Sequence, residues 1–384
     1  MSAAMNTPLD VKIDIKKGLE GVIADSTAIS LVEGDIGRLS YRGYTVEDLL
    51  ARPFVDAAYL IVFGELPDAA QHSAFEEFLW QAGQLPANTQ ALIAQLSLTA
   101  AHPMEILQAI TPVLGLEPPT LSMGNTAEQQ AGLVIAARLP AALAMIHGTR
   151  HNLPMSYPTS RRYGERYLQL ITGKQPTSTA VEVFERTQLL QLDHSFNAST
   201  FTARVVTSTL APISSALAAA LGALYGPLHG RADQAALEMA EEVGAASRAA
   251  EYVADCLARK QVVMGMGHRE YRVVDPRAKV IKALAQQIAV EPEHRRLLDT
   301  LVAIEDAFVE QTSLRARAMR ANLEFYKGLV YSALGLRKEY FTASFSAARV
   351  FGWLAHSIEQ RQDNRIIRPA AHYIGPAPRA LPRS

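Results

Sequence analysis

The chain has 384 residues, 49% hydrophobic and 20% charged, with a formal net charge of −1. That composition excludes a disordered protein, and the balanced charge gives no reason to expect nucleic acid or an anionic membrane as partner. A single cysteine, Cys256, excludes an internal disulfide framework and points to a reducing, cytoplasmic setting.

The length predicts one large domain or two coupled ones. Met1 to Lys17 lacks the long apolar core of a secretory signal. Gly18 to Tyr44, rich in glycine, β-branched residues and turn signals, predicts one or two short hairpins. Beyond it helical periodicity dominates. Thr179-Ala180-Val181-Glu182 matches a capping box and predicts a helix leading to His194. Val205 to Tyr225 is the most membrane-like stretch, but Pro212, several serines and Gly222 interrupt it, so it reads as a buried helix. Cys256 sits mid-helix, where a structural thiol is the expectation.

Further along, Asp275-Pro276 reads as an N-cap followed by proline at the first helical position, with Val280, Ile281, Leu284 and Ile288 on the apolar face. This puts Arg277 in the first turn, where the helix dipole disfavours a cation. Two readings stand: a solvated surface arginine, or one that meets an anion together with free backbone N–H groups. Leu297, Leu301, Ile304 and Phe308 share one helical face, as do Phe351, Leu354 and Ile358. No internal repeat or low-complexity linker occurs, so any second domain packs against the first.

Three histidines stand out, in Leu192-Asp193-His194-Ser195-Phe196-Asn197, Gly226-Pro227-Leu228-His229-Gly230 and Met264-Gly265-Met266-Gly267-His268. Glycines beside His229 and His268 let backbone approach a ligand closely. Asp193 gives His194 a structural alternative as a helix-end ion pair. The three are each more than about thirty residues apart with no paired ligand motif, which speaks against a metal site. Gly265-Met266-Gly267 fits neither a P-loop nor a dinucleotide fingerprint and reads as a tight substrate-facing turn; Arg269 and Arg272 follow it, to meet phosphates or water.

Taken together, these motifs resemble the citrate synthase family. The resemblance begins at Gly18-Leu19-Glu20-Gly21-Val22, passes through Gly37 to Tyr44 and His102-Pro103-Met104, and is dense from His194 to Phe201, Gly226 to Gly230, and Gly267-His268 to Asp275-Pro276-Arg277. It closes with Arg349 to Trp353 and Ile367-Arg368-Pro369. It implies a mainly α, two-domain helical fold with a small N-terminal β-hairpin region. The large domain would take residues 1–222 and 331–384, and a small mobile domain residues 223–330.

The implied reaction condenses acetyl-CoA with oxaloacetate to give citrate and CoA, with the thioester as substrate and no further cofactor or metal. A methyl proton of a thioester is weakly acidic, so a carboxylate base and a hydrogen-bond donor to the enolate are needed. The resemblance assigns these to Glu324 and His229, and polarisation of the oxaloacetate carbonyl to His268. His194, Arg277, Arg349 and Arg368 would bind the oxaloacetate, Arg368 reaching across a homodimer into the partner's site. Gly265, Gly267 and Arg272 would meet CoA.

The chain departs from the family pattern at the base. Where the family has Pro-Asn-Val-Asp-Phe-Tyr-Ser-Gly, this sequence reads Ala321-Asn322-Leu323-Glu324-Phe325-Tyr326-Lys327-Gly328. One extra methylene displaces a carboxylate by about 1.5 Å, and a misplacement of about 1 Å can cost a hundredfold in rate. Asp233 stands where asparagine is usual, and Ala370 where bacterial relatives often carry arginine. Three alternatives therefore stand beside citrate synthesis: 2-methylcitrate synthesis from propionyl-CoA, a biosynthetic paralogue with another acyl-CoA or an oxaloacetate analogue, and a non-catalytic paralogue that binds ligand. The run Phe325 to Tyr331 resembles the citrate type more than the methylcitrate type.

Overall fold

The structure is a computed structural model that describes residues 15–153, 156–268, 270–313 and 320–381. Most of the N-terminal segment read above, up to residue 14, and Arg269 lie outside the described residues. The hairpin region forms an antiparallel sheet of β1 (Ser30–Glu33), β2 (Arg38–Tyr41) and β3 (Tyr44–Thr45), in which Leu31 pairs with Ser40 and Tyr41 with Tyr44. All other regular structure described is helical, as the sequence predicts.

The first helices are α1 (Val46–Leu49), α2 (Phe54–Phe63), α3 (Ala69–Ala82), α4 (Ala87–Ser97), α5 (Pro103–Leu114) and α6 (Ala127–His151). Then come α7 (Tyr163–Thr172), α8 (Ser178–Leu189), α9 (Ala198–Ser208), α10 (Ile213–Tyr225) and α11 (Ala232–Val243). The last five are α12 (Ala249–Ala258), α13 (Pro276–Ile288), α14 (Pro292–Thr312), α15 (Leu323–Ala333) and α16 (Phe341–Gln362).

The core is organised around α16, in which every residue from Phe341 to Ser357 is buried. A helix buried on all sides must be wrapped, and α2, α6, α9 and α10 pack around it. A second group forms around α15, against which α11, α13 and α14 pack, with α12 resting on α14. Leu297, Leu301, Ile304 and Phe308 of α14 are buried, as their spacing predicts.

Two expectations need correction. The capping box at Thr179 is displaced: α8 starts two residues earlier, because the Thr177 hydroxyl accepts from the Ala180 N–H. Val205 to Tyr225 is two helices rather than one. Leu210 takes a left-handed backbone with φ 64°, and Pro212, which lacks an N–H, begins the next helix. The described helix with the length and apolarity to cross a membrane is instead α6, and most of it is buried in the fold. Its Arg138 donates to the carbonyls of Ala82, Leu114 and Glu117.

The contact between α11 and α15 has no room for a side chain. A Cβ on Gly328 would stand 2.3 Å from the Asp233 carbonyl oxygen. Gly328→Ala is expected to force the two helices apart and lower stability by about 2 kcal/mol, read as a drop in the denaturation midpoint. An unchanged midpoint would mean that this contact is loose in solution.

Candidate active site

His194, His229, His268, Arg277, Glu324 and Arg349 all line one cleft of about 1720 Å³, roofed on one side by the N-terminal strands. Each is delivered by a different local device. His194 lies in the loop after α8, and Asp193 beside it is fully buried. The Asp193 carboxylate accepts from Ser30, from the Ser195 N–H at 2.9 Å and from His356 Nε2 at 3.2 Å. The Asp193 carboxylate is thus taken up by His356, Ser30 and the Ser195 N–H rather than paired with His194, and these bonds fix the loop that presents His194. His194 Nε2 is 3.2 Å from the Tyr271 hydroxyl. Burial, then the nearby charges of Arg277, His268 and Arg349, hold its imidazole well below the usual range, so the ring is neutral.

His268 follows the glycine turn. Gly265 and Gly267 both have positive φ, 78° and 86°, conformations that cost other residues energy. The turn zips onto the strand-like entry to α15: the Gly267 N–H donates to Arg320 O at 2.8 Å, and Asn322 donates through its backbone to Gly265 O and through Nδ2 to Gly267 O. This pairing fixes the His268 loop relative to Glu324. His268 Nδ1 accepts the N–H groups of Glu270 at 3.0 Å and Tyr271 at 3.4 Å. A neutral ring that accepts at Nδ1 carries its proton on Nε2. Nε2 lies 3.4 Å from Arg277 Nη2, a long contact in which only the guanidinium can donate, so His268 and Arg277 stand side by side where a carbonyl or carboxylate oxygen would compete for both.

Arg277 is not a solvated surface residue. Asp275 caps α13 by accepting the Arg277 N–H and also grips the guanidinium through Nε at 3.0 Å and Nη2 at 2.9 Å. Both side chains are buried. Burial opposes each charge, but the pairing wins: the Asp275 carboxyl is held below its ordinary value and the Arg277 guanidinium above its own. Arg349 on α16 is buried as well, donating from Nε to Gln191 O at 2.6 Å over the Phe345 ring.

His229 Nε2 is 2.8 Å from Ser199 Oγ, which also accepts the Trp353 indole N–H at 3.1 Å. The one Ser199 hydroxyl proton has two acceptors, Asn197 Oδ1 at 2.8 Å and His229 Nε2; when it is given to Nε2 the ring proton resides on Nδ1, which makes His229 a neutral donor at that atom. Burial first, then Arg349 and Lys327, push its pKa down to about 4. Glu324 lies in the first turn of α15, where the helix dipole favours an anion, and its N–H donates to the capping Asn322 Oδ1 at 2.9 Å.

Residues 18–370 match the family model described as "Citrate synthase, C-terminal domain". The chain belongs to the citrate synthase family. It is 37% identical to a citrate synthase of Synechocystis sp. over 94% of this chain and 91% of that one. It is 36% identical to a 2-methylcitrate synthase of Mycobacterium tuberculosis over 99% and 95%. Among solved structures, citrate synthase from Thermoplasma acidophilum, in ternary complex with carboxymethyl coenzyme A and oxaloacetate, superposes with a TM-score of 0.88. That match is at 29% identity and covers 96% of this chain and 98% of that one.

Within this citrate synthase-family cleft, three of the sequence candidates are not brought together with the rest. Arg272 is exposed, 3.2 Å from Asp35 as an ion pair, and does not line the cleft. Gly265 packs instead against Phe325, where a Cβ would stand 2.9 Å away. Arg368 lies on the exposed segment after α16, away from its own chain's cleft. Among the described residues no three His, Cys, Asp or Glu side chains gather as a metal site requires. Sequence reasoning missed Tyr271, Asp275 as the partner of Arg277, and Ser199 behind His229. Ser199 lies inside the motif from His194 to Phe201, so its signal was present but unread.

Three of the departures from the citrate synthase pattern, Glu324, Lys327 and Asp233, turn out to touch. Lys327 Nζ contacts Glu324 Oε2 on its own helix and lies 3.4 Å from Asp233 Oδ2 on α11, with Lys327 and Asp233 both fully buried. Burial, and then the Glu324 charge against the pull of Lys327, push the Asp233 carboxyl up to about 6. Between its ordinary value and about 6, the unfolded chain is ionised while the folded one stays protonated. This group's contribution to stability therefore falls as pH rises through that window. Asp233→Asn is expected to flatten the fall by about 2 kcal/mol, measured by denaturant unfolding at either end of the window. Parallel curves for the two proteins would contradict it.

Proposed function

We propose that the protein condenses an acyl-CoA with oxaloacetate and hydrolyses the resulting thioester, with acetyl-CoA as donor and citrate as product. The observation that carries this reading is the gathering of two sets of groups in one cleft. Glu324 and His229 form a base and a neutral donor, while the paired His268 and Arg277 edge, with Arg349 and His194, faces a 2-oxo-dicarboxylate. The volume, beyond the roughly 300–1,000 Å³ of ordinary small-molecule pockets, suits a large thioester as well as a dicarboxylate. Supporting it, the Thermoplasma acidophilum relative was solved with a CoA analogue and oxaloacetate together.

In this reading Glu324 takes a proton from the methyl group while His229 hydrogen-bonds the thioester oxygen as it gains enolate charge. The methyl carbon attacks the oxaloacetate carbonyl, one carbon–carbon bond forms, and the carbonyl oxygen becomes an alkoxide held by His268 Nε2–H and Arg277. Water then adds to the thioester and CoA leaves as the thiol. A neutral ring suits the donor role of His229, since its low pKa keeps it a neutral hydrogen-bond donor at working pH.

The assembly is proposed to be a homodimer in the cytoplasm. The segment after α16 is tied to Ser208 through Asn364 and Ile367, and from Arg368 onward it is exposed, carrying Tyr373, Ile374 and Leu381 at 74%, 86% and 91% exposure. Apolar side chains so exposed suit burial on a second copy, with Arg368 completing the partner's site. Residues 223–330, which contain the helices around α15, are proposed as the mobile lobe that closes over substrates and excludes water.

A second reading, 2-methylcitrate synthesis, is favoured by the near-equal identity to relatives of both kinds. Thiol release measured across acetyl-CoA, propionyl-CoA and longer acyl-CoAs with several 2-oxo acids decides between them. Preference for acetyl-CoA with oxaloacetate supports the proposal, preference for propionyl-CoA replaces it with the second reading, and oxaloacetate binding without turnover on any donor sinks both.

A further inference from the structure

We infer that Lys327 is a positioning residue for the base: with Asp233 behind it, Lys327 holds the Glu324 carboxylate aimed at the cleft, so that the site is rebuilt around the longer glutamate. The inference rests on the reading of Glu324 as the base. Three residues carry it. Lys327 follows Glu324 by three positions on α15, a spacing that puts both on one face. Its Nζ meets the buried Glu324 Oε2 as an ion pair without hydrogen-bond geometry, leaving Oε1 as the oxygen with which the carboxylate can act. Asp233 Oδ2 lies 3.4 Å from the same Nζ, and the close α11–α15 approach at Gly328 brings the two together.

A fully buried ammonium is costly without compensation, and one between two carboxylates is compensated on both sides. The Phe345 ring, 4.1 Å from Nζ, closes the remaining side. The other groups that face the cluster are His229 before α11, Arg349 on α16 and Tyr331 on α15, as their mutual electrostatic effects show. Lys327 does not line the cleft and so acts only through Glu324. The chain thereby replaces a short carboxylate by a longer one whose extra reach is taken up by an internal tether.

The test is steady-state kinetics of the full-length protein with its best acyl-CoA and oxaloacetate, across pH. Lys327→Met is expected to lower kcat at neutral pH about tenfold and to move the acid limb of the kcat profile up by about one pH unit. The KM for oxaloacetate should change less than about twofold, since no oxaloacetate ligand is touched. Lys327→Arg should restore the acid limb, and Glu324→Asp, which draws the carboxylate off the tether, should lower kcat. If Lys327→Met does not fold, the double variant Lys327→Met with Asp233→Asn removes the stranded carboxylate and is read in its place. Wild-type kcat and an unshifted acid limb in either variant would overturn the tether and leave the base standing. A wild type that turns over no acyl-CoA would overturn the functional reading itself, and the tether with it.

Discussion

Glu324→Gln is expected to abolish catalysis almost completely while sparing the fold. Glutamine fills the same space and keeps the backbone bond to Asn322, but it cannot accept a proton from carbon. General-base catalysis is worth about 10²–10⁴, and here the carbon acid is weak, so kcat should fall by at least about 10³-fold. Exchange of the acyl-CoA methyl protons with deuterated solvent should vanish in parallel. Oxaloacetate should still bind with little change, because its implied ligands stand on other elements. Retention of methyl exchange in Glu324→Gln would mean that another group removes the proton.

Arg349→Ala should produce the largest loss on the other substrate. The guanidinium is buried, anchored through Nε to Gln191 O and held over Phe345. That anchoring fixes its remaining nitrogens toward the cleft before substrate arrives. A charge-assisted pair with a carboxylate is worth about 1.5–3 kcal/mol, and its loss should raise the KM for oxaloacetate about a hundredfold while the acyl-CoA KM moves little. Arg349→Lys should recover only part of this, since an ammonium lacks the planar fork. An equal rise in both KM values would instead mark a general distortion of the site, because Arg349 also lies beside His194 and His229.

Much of this was legible in the chain. The N-cap at Asp275, the faces of α14 and α16 and the hairpin region follow from local rules that act within a few residues. The cleft was legible for a different reason: its histidines and arginines sit in long motifs whose order is preserved. What local rules could not show was which side chains meet across elements. Arg277 read equally well as a solvated residue until Asp275 was seen to grip it. Asp233 and Lys327 looked like two separate departures, because only the packing of α11 on α15 brings them within 3.4 Å. The boundary errors have the same origin: Thr177 caps the helix through the Ala180 N–H before the chain reaches Thr179, and the break near Pro212 depends on a backbone turn that hydropathy does not register.

The most direct test is a structure of the full-length protein with oxaloacetate and an unreactive acetyl-CoA analogue. The account predicts a Glu324 oxygen about 3–3.5 Å from the carbon that mimics the methyl group, with Lys327 still on the other oxygen and His229 Nδ1 on the thioester oxygen. A Glu324 side chain turned away from the analogue, with no other change in the cleft, would contradict it.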